Sequence, residues 1–190
     1  MLSVGPGTAT SVQAAATGNL FGLVVGINDY LGDKNDLEGS INDAEDIANA
    51  LDYSKAKSVV RLFDAAATKD AITESYRSLI DAAAAGDTLV FSFSGHGSQE
   101  AEPKDRHGEA DGKNENLLLS SFSSKGAGSR ERIVDDEIFE WLKAADDKGV
   151  KVIFVVDACH SGSMNRSVGS NRVKYRNVEI DAITDDQLDF

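Results

Sequence analysis

Four short apolar runs set the strongest limit on what this chain can fold into: LFGLVVGI from Leu20, KSVVRLF from Lys57, DTLVFSFS from Asp87 and KVIFVVD from Lys151. They are rich in Val, Ile, Leu and Phe with little regular alternation of apolar and polar residues, the pattern of strands covered on both faces. Between the first two lies INDAEDIANALD, in which Ile41, Ala44, Ile47, Ala48 and Leu51 share one helical face. Between the next two, DAITESYRSLIDAAAA repeats the device with Ile72, Tyr76, Leu79 and Ile80. Strand alternating with helix predicts an α/β domain whose mainly parallel sheet has right-handed crossovers and helices on both faces. Thr68 and Asp135 stand where helix N-caps belong. In such sheets, binding and catalysis gather at the carboxyl ends of the strands.

The stretch 1–18 is small-residue-rich and aperiodic, so it reads as a loose leader, with an ordered domain over 19–165 and a linker or the start of a following segment over 166–190. From Gly97 to about Arg132 runs one long connection rich in Gly, Ser and charge, interrupted by NLLLSSF, a candidate hairpin or edge strand. With 190 residues and 41% hydrophobic content, the chain can bury one sizeable core. A formal charge of -13 opposes a phosphate backbone, which excludes nucleic acid as a natural partner. Neither a signal peptide nor a membrane-length apolar stretch is visible, so the default is a soluble cytoplasmic protein with no membrane partner.

The fourth run breaks into DACHSG, which carries the only cysteine, and the third breaks into SGHGSQ. A single cysteine forms no internal disulfide, so Cys159 is either a core residue or a reactive thiol. Its place where a buried strand leaves the sheet favours the thiol. His160 is its neighbour in sequence, but adjacent side chains on an extended chain point to opposite faces. His96 ends the other strand, and if the two strands are adjacent it faces Cys159 across their ends as a proton carrier. Gly95 and Gly97 allow tight turns and close substrate approach. Asp157, two residues before the thiol, shares its face and suits a receptor for a cation better than an activator of Cys159. His107, in a polar stretch, takes no role.

SGHGSQ at 94–99, DACHSG at 157–162, LVVGINDY at 23–30 and INDAED at 41–46 together resemble the metacaspases and the bacterial caspase-like peptidases, or orthocaspases, in order from about Leu20 to Met164. The resemblance implies a caspase-like fold, with Cys159 as nucleophile, His96 as general acid/base, and the amides of Gly97 and Cys159 as an oxyanion hole. It implies cleavage after Arg or Lys in protein or peptide substrates, with Asp43, Asp157 and Ser94 as the pocket. Asp43 has a second reading, as a helix-start acid favoured by the macrodipole. The chemistry requires no cofactor.

Calcium activation, known in the family, would involve Asp135 and Asp136, but two further family acids are replaced by Asn114 and Arg166, and helix capping is the preferred reading. The family's second cysteine corresponds to Ser40. The chain ends at Phe190, before the small catalytic segment of the family, which is expected to follow in cis or as a separate chain. SVGSNRVKYRN offers Arg172, Lys174 and Arg176 as candidates for self-cleavage, against the plainer reading of a solvated connector. Two other functional classes stay open: a caspase-like interaction or signalling module with little turnover, and a flavodoxin-like binding domain. The second would need a phosphate loop where GINDYLGD is acidic.

Overall fold

A computed structural model describes residues 18–101 and 113–158. The central sheet is four-stranded and wholly parallel, in the order β2-β1-β3-β7. Its strands are β1 (Leu20–Gly26), β2 (Ser58–Phe63), β3 (Thr88–Ser94) and β7 (Lys151–Asp157). These coincide with the four apolar runs to within a residue at each end. The crossover helices are α1 (Ser40–Tyr53) and α2 (Lys69–Ala82), and α3 (Asp135–Asp147) leads into β7.

The two faces of the sheet are covered unequally. Phe21, Leu23 and Val25 of β1 and Leu89, Phe91 and Phe93 of β3 pack with Ile72, Tyr76, Leu79 and Ile80 of α2 and Ile138 and Ala145 of α3. Stacked Phe91 and Phe154 rings, 4.9 Å between centroids, extend this layer to β7. On the other face, Val24 and Val90 meet Ala44, Ala48 and Leu51 of α1. α1 lies so close to β1 that a Cβ on Gly26 would come 2.7 Å from the Ala44 Cβ, a contact only glycine permits. Over β7 this face is open: Ile153 and Val155 are 42% and 38% exposed.

Two expectations are corrected. The segment after Gly97 holds more than the one hairpin or edge strand expected at NLLLSSF, whose first three residues end β5: it carries a second, antiparallel sheet in the order β4-β5-β6, from β4 (Gly97–Ala101), β5 (Lys113–Leu118) and β6 (Arg132–Val134). Its polar core is internally satisfied in part: buried Glu100 accepts from Arg132 Nε at 2.7 Å, from Arg132 Nη2 at 3.2 Å and from Asn116 Nδ2 at 2.9 Å. Nor is Asp135 an N-cap. It occupies the first helical position of α3 behind Val134, and the Val134 N–H donates to Glu137 Oε2 at 3.1 Å, so the third helical residue closes that end. Thr68 does cap α2, its Oγ1 accepting from the Ala71 N–H at 3.2 Å.

Candidate active site

The carboxyl ends of β1, β3 and β7 are level, because the register pairs Gly26 with Ser94 and Ser94 with Asp157. Residues paired across a sheet share a face. Gly26 faces α1, so Ser94 and Asp157 do too. Asp43 lies exposed in the first turn of α1, whose start is held over this row. Asn28 Oδ1 accepts from the Ser40 N–H at 2.9 Å, and Asp64 Oδ1 accepts from the N–H groups of Asn28 and Asp29 at 2.7 and 2.9 Å. Buried Ser94 and half-buried Asp157 are thus neighbours at one end of the α1 face, and the first residues of α1 lie over Gly26 in the same row.

His96 lies just beyond β3 and turns the other way. The Gly95 N–H still donates to the Asp157 carbonyl at 3.2 Å, but a side chain on Gly95 would strike the Tyr30 hydroxyl. The His96 ring packs on the Tyr30 ring, 4.6 Å between centroids, and is 3% exposed. Its Nε2 lies 2.7 Å from the Asn35 carbonyl oxygen. A carbonyl only accepts, so Nε2 bears the proton and Nδ1 is the basic nitrogen of the neutral ring. Burial pushes the His96 pKa below its ordinary value, opposed in part by the Asn35 carbonyl. The ring is therefore held neutral near pH 7, the state a proton acceptor needs.

The Tyr30 hydroxyl does more than pack. Gly97 and Leu117 face each other on β4 and β5, and the preceding pair, His96 with Leu118, would complete the ladder by exchanging both backbone hydrogen bonds. Only one is direct, from the Leu118 N–H to the His96 carbonyl at 2.9 Å. The other passes through tyrosine: the His96 N–H donates to Tyr30 Oη at 2.8 Å, and Tyr30 Oη donates to the Leu118 carbonyl at 3.3 Å. The same alternation makes Gly97 and Leu117 a pair that does not exchange hydrogen bonds, so the Gly97 N–H points away from β5. Tyr30 and Asn35 were not singled out in the sequence. A backbone carbonyl carries no side-chain signal, and the one hint was an aromatic residue inside the polar INDYLGD loop.

Cys159, His160, His107, Arg166 and the candidate self-cleavage residues Arg172, Lys174 and Arg176 lie outside the described residues. Of the calcium candidates, Asp135 and Asp136 start α3, Asp135 Oδ1 accepts from the Asp136 N–H at 2.9 Å, and Asn114 is buried on β5. Among the described residues no three His, Cys, Asp or Glu side chains are grouped as metal ligands.

A parallel sheet with level strand ends and helices on both faces is a caspase-like α/β fold. The sequence profile described as metacaspase, peptidase C14 domain matches residues 22–167. The chain belongs to the metacaspases of peptidase family C14, a family of cysteine peptidases. It is 36% identical over 169 residues to metacaspase-1 of Plasmodium falciparum, covering 83% of this chain and 26% of that protein. It is 34% identical over 155 residues to metacaspase-2 of Arabidopsis thaliana, covering 75% and 34% of the two. A crystal structure of a Geobacter sulfurreducens protein superposes with a TM-score of 0.59 at 27% identity, covering 76% of this chain and 52% of that one. The chain thus spans well under half the length of these curated relatives.

Proposed function

We propose that this chain is the catalytic segment of a cysteine endopeptidase that cuts after Arg or Lys. One observation carries the reading: β3 and β7 are adjacent and in register to Ser94 and Asp157, and two residues further along each chain stand His96 and Cys159. A Cys-His dyad needs two such neighbouring strand ends. His96 Nδ1 takes the Cys159 proton, and the thiolate attacks the scissile carbonyl carbon. The N–H groups of Gly97 and Cys159 receive the negative charge that develops on the carbonyl oxygen. His96 then delivers its proton to the leaving amine as the C–N bond breaks. Water, deprotonated by His96, hydrolyses the thioester and restores the thiol. No step draws on a metal or cofactor.

Specificity follows from charge. Asp157, beside Ser94 on the α1 face, and Asp43, in the first turn of α1, suit the guanidinium or ammonium of the residue before the cut. Exposed Ile153 and Val155 on β7, which among the described residues has a neighbour only on its β3 side, suit the small segment that follows in metacaspases, as a continuation of the sheet. Arg172, Lys174 or Arg176 would be the chain's own substrates. Among the described residues no helix is long and apolar enough to cross a membrane.

The test is a peptide library with mass mapping of the cuts, run on the chain together with its small segment. Cys159→Ala and His96→Ala are expected to abolish turnover, while His160→Ala keeps most of it. Asp157→Asn is expected to lower kcat/KM for Arg and Lys peptides by about a hundredfold. Intact-mass analysis should find fragments ending at Arg172, Lys174 or Arg176 only when Cys159 is present. Efficient cutting after acidic residues, or an active His96→Ala protein, would refute the reading.

A further inference from the structure

Beside His96, on the face opposite the acids, lies a cleft of about 220 Å³. Its walls include Tyr30, Leu31 and Asn35 from the loop after β1, and Phe122 and Ser123 from the turn after β5, with His96 itself at one end. Leu31 is 61% exposed and lines this cleft. The volume is below the roughly 300–1,000 Å³ of pockets that hold a whole small molecule, and suits one side chain.

We infer that this cleft is the subsite for the side chain of the residue immediately after the cut bond, and that it selects a large apolar or aromatic one. The inference rests on the peptidase reading and extends it to the leaving segment. Consecutive side chains of an extended peptide point to opposite faces. If the residue before the cut reaches Asp157 and Asp43 on the α1 face, the next side chain points to the other face, where the cleft opens. The leaving nitrogen must also come within reach of His96 to receive its proton, which brings its own residue over the end of the cleft. Leu31, Leu118 and Phe122 supply apolar contact beside the Tyr30 ring, Asn35, Ser123 and Ser124 are uncharged, and apart from neutral His96 no acid or base lines the space. A charged side chain would be desolvated there without a partner.

Two measurements test this separately from the peptidase reading. The first is kcat/KM for peptides with Arg before the cut and Gly, Ala, Leu, Phe, Asp or Lys after it. Phe and Leu are expected to exceed Gly by about tenfold or more, a factor set by a few buried methylenes. Leu31→Asp and Phe122→Ala should each compress that Phe-to-Gly ratio to within about threefold, whatever their effect on overall rate. The second needs no turnover: phenylalaninamide, titrated into the chain, should shift the NMR signals of the His96 ring saturably, and glycinamide should not. Cutting after Arg with a flat or Asp-preferring profile, and no response to phenylalaninamide, overturns the subsite while the peptidase stands. A protein that cuts no peptide but binds phenylalaninamide beside His96 overturns the peptidase reading and keeps the apolar site.

Discussion

Replacing Tyr30 with Phe removes one oxygen and nothing else, and that oxygen sits in the last rung between β4 and β5. The ring contact with His96, 4.6 Å between centroids, is retained. What is lost is the acceptor for the His96 N–H at 2.8 Å and the donor to the Leu118 carbonyl at 3.3 Å. A buried donor left without a partner costs about 1–3 kcal/mol. In a domain of this size each kcal/mol lowers Tm by roughly 2–4 °C, so Tyr30→Phe is expected to melt about 2–12 °C lower by circular dichroism. The chain has one way to recover the bond, by closing the rung so that the His96 N–H reaches Leu118 directly, and that moves the imidazole. Misplacing a catalytic group by about 1 Å costs up to roughly a hundredfold in rate, so kcat/KM for an Arg peptide should fall about ten- to a hundredfold. A variant that melts within about 0.5 kcal/mol of the parent and cuts within twofold of it would refute the bridging role.

Three further outcomes follow from the same structure. Gly95→Ala drives a methyl group into the Tyr30 hydroxyl and should cost about 1–3 kcal/mol in chemical denaturation; combined with Tyr30→Phe, the loss should be smaller than the sum of the two. Because burial holds the folded His96 pKa below the ordinary value of about 6.5, the unfolded chain takes up that proton first as pH falls. The His96 contribution to stability should therefore be flat above about pH 6.5 and decline below it, with the NMR midpoint of the ring below 6.5; a midpoint above it would contradict the burial argument. Arg132→Ala leaves Glu100, whose side chain is 2% exposed, with Asn116 but without its cation, and should cost about 3–5 kcal/mol, a loss that Glu100→Gln made in the same chain partly restores.

The parallel sheet was legible because strands buried on both faces must be apolar throughout, and LFGLVVG and TLVFSFS have no other good use in a soluble domain. The second sheet was not. GSQEA, KNENLL and RIV carry no apolar period, since one face of that sheet buries Glu100, Asn114, Asn116 and Arg132, and only the folded chain brings these groups together. Of the site, His96 and Asp157 could be read from where apolar runs end. Their adjacency depended on strand order, which no local pattern encodes. Asn35 contributes a main-chain carbonyl and Tyr30 a bridging hydroxyl, and neither role has a residue-type signature. Val134 could be taken for a simple strand residue because the capping group comes from Glu137, three residues later.

The open margin of the central sheet makes the behaviour of this chain depend on ionic strength. Among the described residues β7 has a neighbour only on its β3 side, and Ile153 and Val155 stand exposed on one of its faces. Unpaired strand margins with apolar side chains are templates for pairing between copies. What opposes such pairing here is the net charge of -13, by mutual repulsion over a distance that the buffer sets. That distance is about 30 Å in 0.01 M salt and shrinks to about 8 Å at 0.15 M, comparable to the spacing of two packed layers. Handled without a covering segment, the chain should stay dispersed in dilute buffer and self-associate as salt is raised, the reverse of a protein held together by surface ion pairs.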